Sequence, residues 1–363
     1  MCIRDSNSGR YALELRSACV ARLYLDGKLL VEATPGSGHS WMTSGARAYV
    51  NLDAGRDYAL KVEYIKLPDV DWTSLSLVGA YAPDPDDRLE RAVALAKQSD
   101  VAVIFGGMPK GFESEGHDRP DMKLPGEQDA LIHAVAAANP NTVVVLNVGS
   151  PVEMPWVDEV AAVVLAYYPG QEGGNAVANV LTGAVNPSGK LSETFPRRYM
   201  DNPTFINYPG TKEVRYGEGI FVGYRYYDMK GVAPLFPFGH GLSYTTFAYN
   251  DLSVPETVKA GETVKVSVKI TNTGGVAGAE VVQLYVADKA SSLVRPPKEL
   301  KGFAKVTLEP GISTTVTFIL DGRALSFYNP YQETWVAEPG KFEILAGSSS
   351  RDIRAKKTFT LEV

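Results

Sequence analysis

Val101-Ala102-Val103-Ile104-Phe105 runs, a few residues later, into Gly111-Phe112-Glu113-Ser114-Glu115-Gly116-His117-Asp118-Arg119-Pro120. The first stretch is continuously apolar and β-branched, which predicts a strand buried on both faces. The second packs three carboxylates, an imidazole and a guanidinium into ten residues. Loops beyond the carboxyl ends of strands in open α/β sheets are where ligands bind. Two neighbouring carboxyl groups can be pushed to different pKa values and take different roles, so one glutamate here is a candidate general acid/base. The residues alone leave the plainer reading open: a solvated, charged loop.

On either side of this loop, segments with helical and strand periods alternate. Leu89–Gln98 has a helical period, Val101–Phe105 is a strand, and a helix is predicted over Glu127–Ala138 after Pro125-Gly126. Strands follow at Thr142–Val148 and Ala161–Ala166, then a helix at Gly173–Leu181. Short apolar strands between helices imply a mostly parallel sheet covered on both faces. Three strands make a small sheet, so the α/β sandwich is read as partial, with further strands expected earlier in the full-length protein.

Further out, both flanks are β. From Tyr11 to Tyr81, Ala21, Leu23 and Leu25 alternate before the Asp26-Gly27 hairpin signal, Asp53-Ala54-Gly55-Arg56 is a second turn, and Leu60, Val62 and Tyr64 share a strand face. This predicts a sandwich-like module or part of one, cut from the α/β region by Ala82-Pro83-Asp84-Pro85-Asp86-Asp87. Phe247–Val363 reads as all β: Val264, Val266, Val268 and Ile270 alternate, Val281–Val286 forms the next strand, and Val316, Phe318 and Leu320, then Phe342, Ile344 and Leu345 follow. Short strands with turn signals between them predict an immunoglobulin-like sandwich. No cysteine pair pins it, so the fibronectin type III-like form is expected. The Tyr-, Pro- and Gly-rich segment from Pro203 to Pro237 suits either carbohydrate stacking or packing between domains, the latter favoured.

Composition narrows the partners. Across 363 residues, 45% hydrophobic and 21% charged, the net charge is -6 with no basic block, which argues against nucleic acid and anionic membranes. No apolar run is long enough to span a bilayer. Met1-Cys2-Ile3-Arg4-Asp5-Ser6 has no apolar h-region and reads as an artefactual leader, so the true N-terminus is expected upstream and the compartment (periplasm, exterior or cytoplasm) stays open. Cys2 and Cys19 make no disulfide framework, and with four scattered histidines no metal site; Cys19 is expected as a small core residue on an alternating strand. His133 is expected packed or at the surface and His240 at a turn. Gly170-Gln171-Glu172-Gly173-Gly174 lacks the spacing of a phosphate cradle and predicts a sharp turn before a helix. Trp41, Trp72 and Tyr81 suit a sugar-stacking platform or core packing equally well.

Four motifs in order then carry a resemblance. Glu113-Ser114-Glu115-Gly116-His117-Asp118-Arg119 with Leu124-Pro125-Gly126-Glu127-Gln128 resembles the acid/base loop of family 3 glycoside hydrolases. Pro169-Gly170-Gln171-Glu172-Gly173-Gly174-Asn175-Ala176 with Asn186-Pro187-Ser188-Gly189-Lys190-Leu191 resembles downstream signatures of the same family, as do Val222-Gly223-Tyr224-Arg225-Tyr226-Tyr227-Asp228 and Pro237-Phe238-Gly239-His240-Gly241-Leu242-Ser243-Tyr244. The resemblance covers residues 84–363. The preceding β module is similar to the second part of a protective-antigen-type lectin insertion, which in the family is associated with the outer substrate sites.

The resemblance implies a retaining, cofactor-free β-glucosidase-like exo-glycosidase acting on β-linked gluco-oligosaccharides or glycosides. A carboxylate nucleophile attacks the anomeric carbon while a second carboxyl about 5–5.5 Å away protonates the leaving oxygen. By the Glu-Gly-aromatic-Asp-Arg pattern that acid/base is Glu115, with Glu113 the fallback, supported by His117, Asp118 and Arg119. Relatives carry an aromatic at the His117 position, which favours a role in shape there. Neighbouring acids Glu113 and Asp118 are expected to raise the Glu115 pKa, with Arg119 pairing with Asp118 or holding the loop. The nucleophile belongs to a (β/α)8 barrel that does not precede this segment, so the missing barrel is the implied partner and this chain alone is expected to be inactive; a homo-oligomer is compatible with the sequence. The expected partition is 1–6 leader, 7–82 lectin-like module, 83–200 α/β sandwich, 201–246 interdomain segment and 247–363 fibronectin type III-like domain. Two competing readings are a non-catalytic carbohydrate-binding or scaffold protein, and a flavodoxin-like binding domain fused to β modules, which nothing in the loops supports.

Overall fold

The computed structural model describes residues 2–4, 7–34, 44–68, 74–82, 87–109, 112–116, 118–208, 210 and 212–362. The chain divides into two compact units, Met1–Ser99 and Asp100–Val363.

In the first unit seven strands are followed by a helix: β1 (Cys2–Arg4), β2 (Gly9–Ser17), β3 (Val20–Leu25), β4 (Lys28–Ala33), β5 (Ser44–Leu52), β6 (Asp57–Ile65), β7 (Leu75–Tyr81) and α1 (Arg88–Lys97). They form two antiparallel sheets, ordered β1-β6-β3-β4 and β5-β2-β7. The period-2 pattern puts Leu13, Leu15, Ala21, Leu23, Ala33 and Leu60 into one core between them. Asp26-Gly27 makes the hairpin, with Gly27 at φ 81. Cys19 is fully buried, but in the bend joining β2 to β3 and not on a strand as expected. The Ser17 hydroxyl accepts the Cys19 N–H at 3.0 Å, a local bond that competes with strand continuation.

The second unit opens with the α/β region: β8 (Ala102–Gly107), α2 (Gln128–Ala138), β9 (Thr142–Asn147), β10 (Ala162–Leu165), α3 (Gly173–Leu181) and, after a long connection, α4 (Tyr224–Lys230). The sheet is parallel throughout, ordered β10-β9-β8. Its central strand β9 is the most buried, and Val144, Leu146, Val148, Trp156 and Phe195 close the core with Ile132 of α2. Trp156 is fully buried and donates its indole N–H to Asp129 at 2.7 Å, tying α2 to the segment before β10. β8 is not buried on both faces as its apolar run predicts: among the described residues it is the edge strand of the sheet, and Val103 and Phe105 on it are 43% and 64% exposed.

The remainder is a β-sandwich: β11 (Phe247–Ser253), β12 (Thr257–Lys259), β13 (Val264–Asn272), β14 (Gly278–Asp288), β15 (Glu299–Leu308), β16 (Ser313–Leu320), the one-turn α5 (Gly322–Leu325), β17 (Phe327–Asn329), β18 (Thr334–Val336), β19 (Gly340–Gly347) and β20 (Ile353–Glu362). Sheets β11-β13-β16 and β12-β20-β19-β14-β15 face each other, with β17-β18 a separate hairpin. The inward Val264, Val266, Val268 and Ile270 are fully buried against Leu284, Phe342 and Ile344.

The segment between α3 and β11 joins the sheet region to this sandwich. Tyr224 stacks on Phe238 at 5.0 Å, meets Tyr285 edge-on at 5.9 Å, and its hydroxyl accepts the Leu300 N–H at 2.8 Å. The Asp228 carboxylate takes the Arg351 guanidinium at 2.8 Å and the Lys298 ammonium. Asn186 bridges Ala277 O at 2.9 Å and the Tyr244 N–H at 2.8 Å, while Lys190 pairs with buried Glu280 at 3.0 Å. Gly239 has φ 82, and a Cβ there would lie 2.2 Å from the Gln283 side chain, so only glycine lets the turn seat on β14. The aromatic segment thus packs, as the sequence favours. His240 closes a turn, its carbonyl accepting the Leu191 N–H at 2.8 Å.

Candidate active site

Three successive strands of the parallel sheet end at one place. The loop after β8 carries Glu113, Glu115, Asp118 and Arg119; the loop after β9 begins at Gly149-Ser150; the segment after β10 contributes Tyr167 and Tyr168. All lie beyond the carboxyl ends of their strands, where parallel topology leaves a crevice.

The base of the first loop is fixed by Gln128, the last residue of the Leu124–Gln128 motif and the first of α2. Its side chain accepts the Gly107 N–H at 2.8 Å and donates to the carbonyls of Gly107 at 2.9 Å and Pro125 at 3.0 Å. It thereby holds the end of β8 against the start of α2.

Glu113 faces back onto the sheet. Its carboxylate accepts the Gly149 N–H at 2.8 Å, the Ser150 hydroxyl at 2.8 Å and the Tyr168 hydroxyl, with the Arg119 guanidinium 3.5 Å away. Burial works to raise its pKa. The Tyr168, Gly149 and Ser150 hydrogen bonds and the Arg119 charge outweigh that and hold the carboxyl below the usual carboxylate range. The same bond, with burial added, raises the Tyr168 phenol. Arg119 does not pair with Asp118: it donates to the Pro151 carbonyl at 2.7 Å and leans on Glu113, spanning the first two loops. Asp118 accepts the Tyr208 hydroxyl and raises that phenol.

Glu115, two residues past Glu113, is exposed, and its carboxylate makes no hydrogen bond or ion pair among the described residues. His117 lies outside the described residues, as do Trp41 and Trp72; Tyr81 is half exposed and meets Tyr11 edge-on at 5.3 Å.

Two residues absent from the sequence reading complete the setting. Tyr167 has φ 50, a left-handed conformation costing a non-glycine residue about 1–2 kcal/mol, and it turns the chain so that Tyr168 reaches Glu113. Glu193, on the segment after Leu191, is held above the usual carboxylate range by burial and Glu113, with Arg119 opposing. The signal that could have found Gly149-Ser150 and Tyr167-Tyr168 is their position immediately past strands β9 and β10.

Other motif residues stay out of this cluster. Gly173 opens α3 with no room for a Cβ, 2.5 Å from the Pro169 ring, which makes Pro169–Gly174 a packing turn. His133 sits at the surface, 2.8 Å from Glu159.

What the arrangement can do is limited and definite. One carboxylate accepts three hydrogen bonds and is held below the usual carboxylate range, and a second on the same loop is exposed, with no hydrogen bond or ion pair among the described residues. The two carboxyl groups of one loop thus stand in different surroundings, the condition under which neighbouring acids take different protonation behaviour.

The sequence matches the family model described as the glycosyl hydrolase family 3 C-terminal domain over residues 15–244, and that of a fibronectin type III-like domain over residues 280–350. It is 55% identical over 275 residues to thermostable beta-glucosidase B of Acetivibrio thermocellus, covering 75% of this chain and 36% of that protein. It is 40% identical over 370 residues to a beta-glucosidase of Rhizobium radiobacter, covering 98% and 45%. Among solved structures, beta-glucosidase from Kluyveromyces marxianus in complex with glucose superposes with TM-score 0.92 at 38% identity, over 100% of this chain and 44% of that one. The chain spans less than half the length of the relatives it matches.

Proposed function

The chain belongs to glycosyl hydrolase family 3, carrying the family's C-terminal and fibronectin type III-like domains, and from that membership we propose that it is the acid/base-bearing half of a retaining β-glucosidase. The substrate is a β-linked gluco-oligosaccharide or glycoside. The other half, a (β/α)8 barrel supplying an aspartate nucleophile and most sugar contacts, lies elsewhere in the full-length protein. Residues 7–82 are part of a lectin-like insertion.

The observation that carries this reading is the division of labour between two carboxylates on one loop. Glu113 accepts three hydrogen bonds and faces the Arg119 guanidinium, whereas Glu115 is exposed and without a hydrogen bond or ion pair among the described residues, in the Glu-Gly-X-Asp-Arg setting. In the reaction the barrel carboxylate attacks the anomeric carbon while the Glu115 carboxyl gives its proton to the leaving oxygen. Glu115, now a carboxylate, then takes a proton from the water that breaks the glycosyl–enzyme bond, which restores both groups. This chain, with the acid and without the nucleophile, does not hydrolyse glycosides by itself.

The test is turnover of an aryl β-glucoside and of a β-linked disaccharide by the barrel-containing protein and its Glu115→Gln variant. An activated aryl leaving group needs little protonation, so the variant loses about 10²–10⁴-fold on the disaccharide and far less in the aryl-release step, and azide restores turnover of the trapped intermediate. Equal activity of variant and parent on the disaccharide would remove Glu115 from the role.

A further inference from the structure

We propose that Glu113 is a positioning residue that locks the Glu115 loop to the sheet by gathering donors from the two neighbouring strand-end loops, a role that rests on the acid/base reading of Glu115. Its carboxylate takes the Gly149 N–H and Ser150 hydroxyl from the loop after β9, each at 2.8 Å, and the Tyr168 hydroxyl from the segment after β10. Arg119 returns from the far end of the same loop to 3.5 Å from Glu113 and bonds Pro151 at 2.7 Å. Both ends of the segment that holds Glu115 are therefore pinned to the Gly149–Pro151 turn, and the residue between them needs no contact of its own to be held.

Two independent features are built around this clamp. At Gly149 a Cβ would fall 2.9 Å from the Glu113 carboxylate and 2.7 Å from the Tyr168 ring, so the convergence of the two side chains on that N–H requires glycine. The left-handed Tyr167 at φ 50 precedes Tyr168, whose hydroxyl reaches Glu113, a backbone conformation a tyrosine adopts only where its surroundings demand it.

A carboxylate that accepts from this many groups is stabilised as the anion, so Glu113 serves by charge and geometry and not by giving up its own proton. The distance tolerance of proton transfer makes such a clamp matter: misplacement of a catalytic group by about 1 Å can cost about 10²-fold.

The experiment has two arms. In the barrel-containing protein, Glu113→Gln lowers kcat about 10–100-fold. It does so equally for aryl glucoside and disaccharide, with KM little changed and no rescue by azide, whereas Glu115→Gln shows the leaving-group dependence and the rescue. Gly149→Ala reproduces the Glu113→Gln pattern. In the 363-residue chain, Glu113→Gln speeds hydrogen exchange at residues 112–116 and at Gly149 while β9 and β13 keep their protection, and the Tyr168 phenol titrates lower. Azide rescue of Glu113→Gln would overturn the inference by making Glu113 the acid itself. Parental kcat together with unchanged exchange would overturn it by showing that nothing is clamped. If Glu115→Gln were fully active, the acid/base reading would fall, and the exchange and phenol titration would still decide whether the loop is held by Glu113.

Discussion

Glu113 shows how one side chain's pH response can be derived from its partners. Its folded pKa lies below the ordinary value, so the anchoring it provides is complete above the unfolded carboxyl pKa of about 4.3 and is lost as pH falls through the lower folded value. Exchange protection of residues 112–116 is thus expected to be flat from neutrality down through the ordinary carboxyl range and to be lost only at more acid pH, which hydrogen exchange across a pH series would measure. The buried Lys190–Glu280 pair makes a second case: the side chains are 12% and 4% exposed, and Lys190 also donates to Gly241 O at 2.7 Å. Removing Glu280 strands a buried ammonium, and Glu280→Ala should cost about 3–5 kcal/mol in denaturant unfolding. Replacement of both partners by apolar residues of similar volume should recover much of it. At this scale the sequence told little apart. Glu113 and Glu115 have the same chemistry and differ only in what the folded loops bring to them, and the hydrogen-bond donors to Glu113 lie 36 to 55 positions away in the chain.

Regular elements were far more legible. From α1 to α3 the strands and helices fall within one or two residues of the periodicity reading, because each is long enough for its apolar period to register. The alternation of Val264, Val266, Val268 and Ile270 is the inward face of β13. The fully buried Leu284 opposite is expected to cost about 2–5 kcal/mol as Leu284→Ala, read as a lowered midpoint with unchanged slope in urea. Helix α4 was not foreseen. Its seven residues, three of them tyrosines, have weak intrinsic helix preference and no side-chain cap at Gly223. It is held by contacts remote in sequence: Tyr224 to Leu300, Asp228 to Arg351. The misplacement of Cys19 has the converse cause, since a buried small residue in a tight bend leaves the same local pattern as one on a strand.

At the scale of the molecule, the β8 edge carries exposed Val103 and Phe105 with no strand beyond it among the described residues. An open apolar edge is a template for association. The 363-residue chain is therefore expected to show concentration-dependent oligomers by light scattering. Phe105→Lys should suppress them with little change in unfolding midpoint, since an exposed side chain contributes little to the core. The order of the β and α/β regions was legible because composition and period change sharply at their borders. The joinery between the sheet region and the sandwich was not: Asn186, Lys190, Asp228 and Gly239 read as motif letters, and their partners Ala277, Glu280, Arg351 and Gln283 lie in another region of the chain.

That joinery bears on how the protein can be dissected. Cutting the gene after residue 246, where the pattern changes, would strip Asp228 of both its cations, leave Lys190 without its counter-charge and uncover the Tyr224–Phe238 stack. The fibronectin type III-like region is thus a buttress for the fold that carries the Glu113–Arg119 loop, and shuffling it between relatives would succeed only if its half of the joint travelled with it.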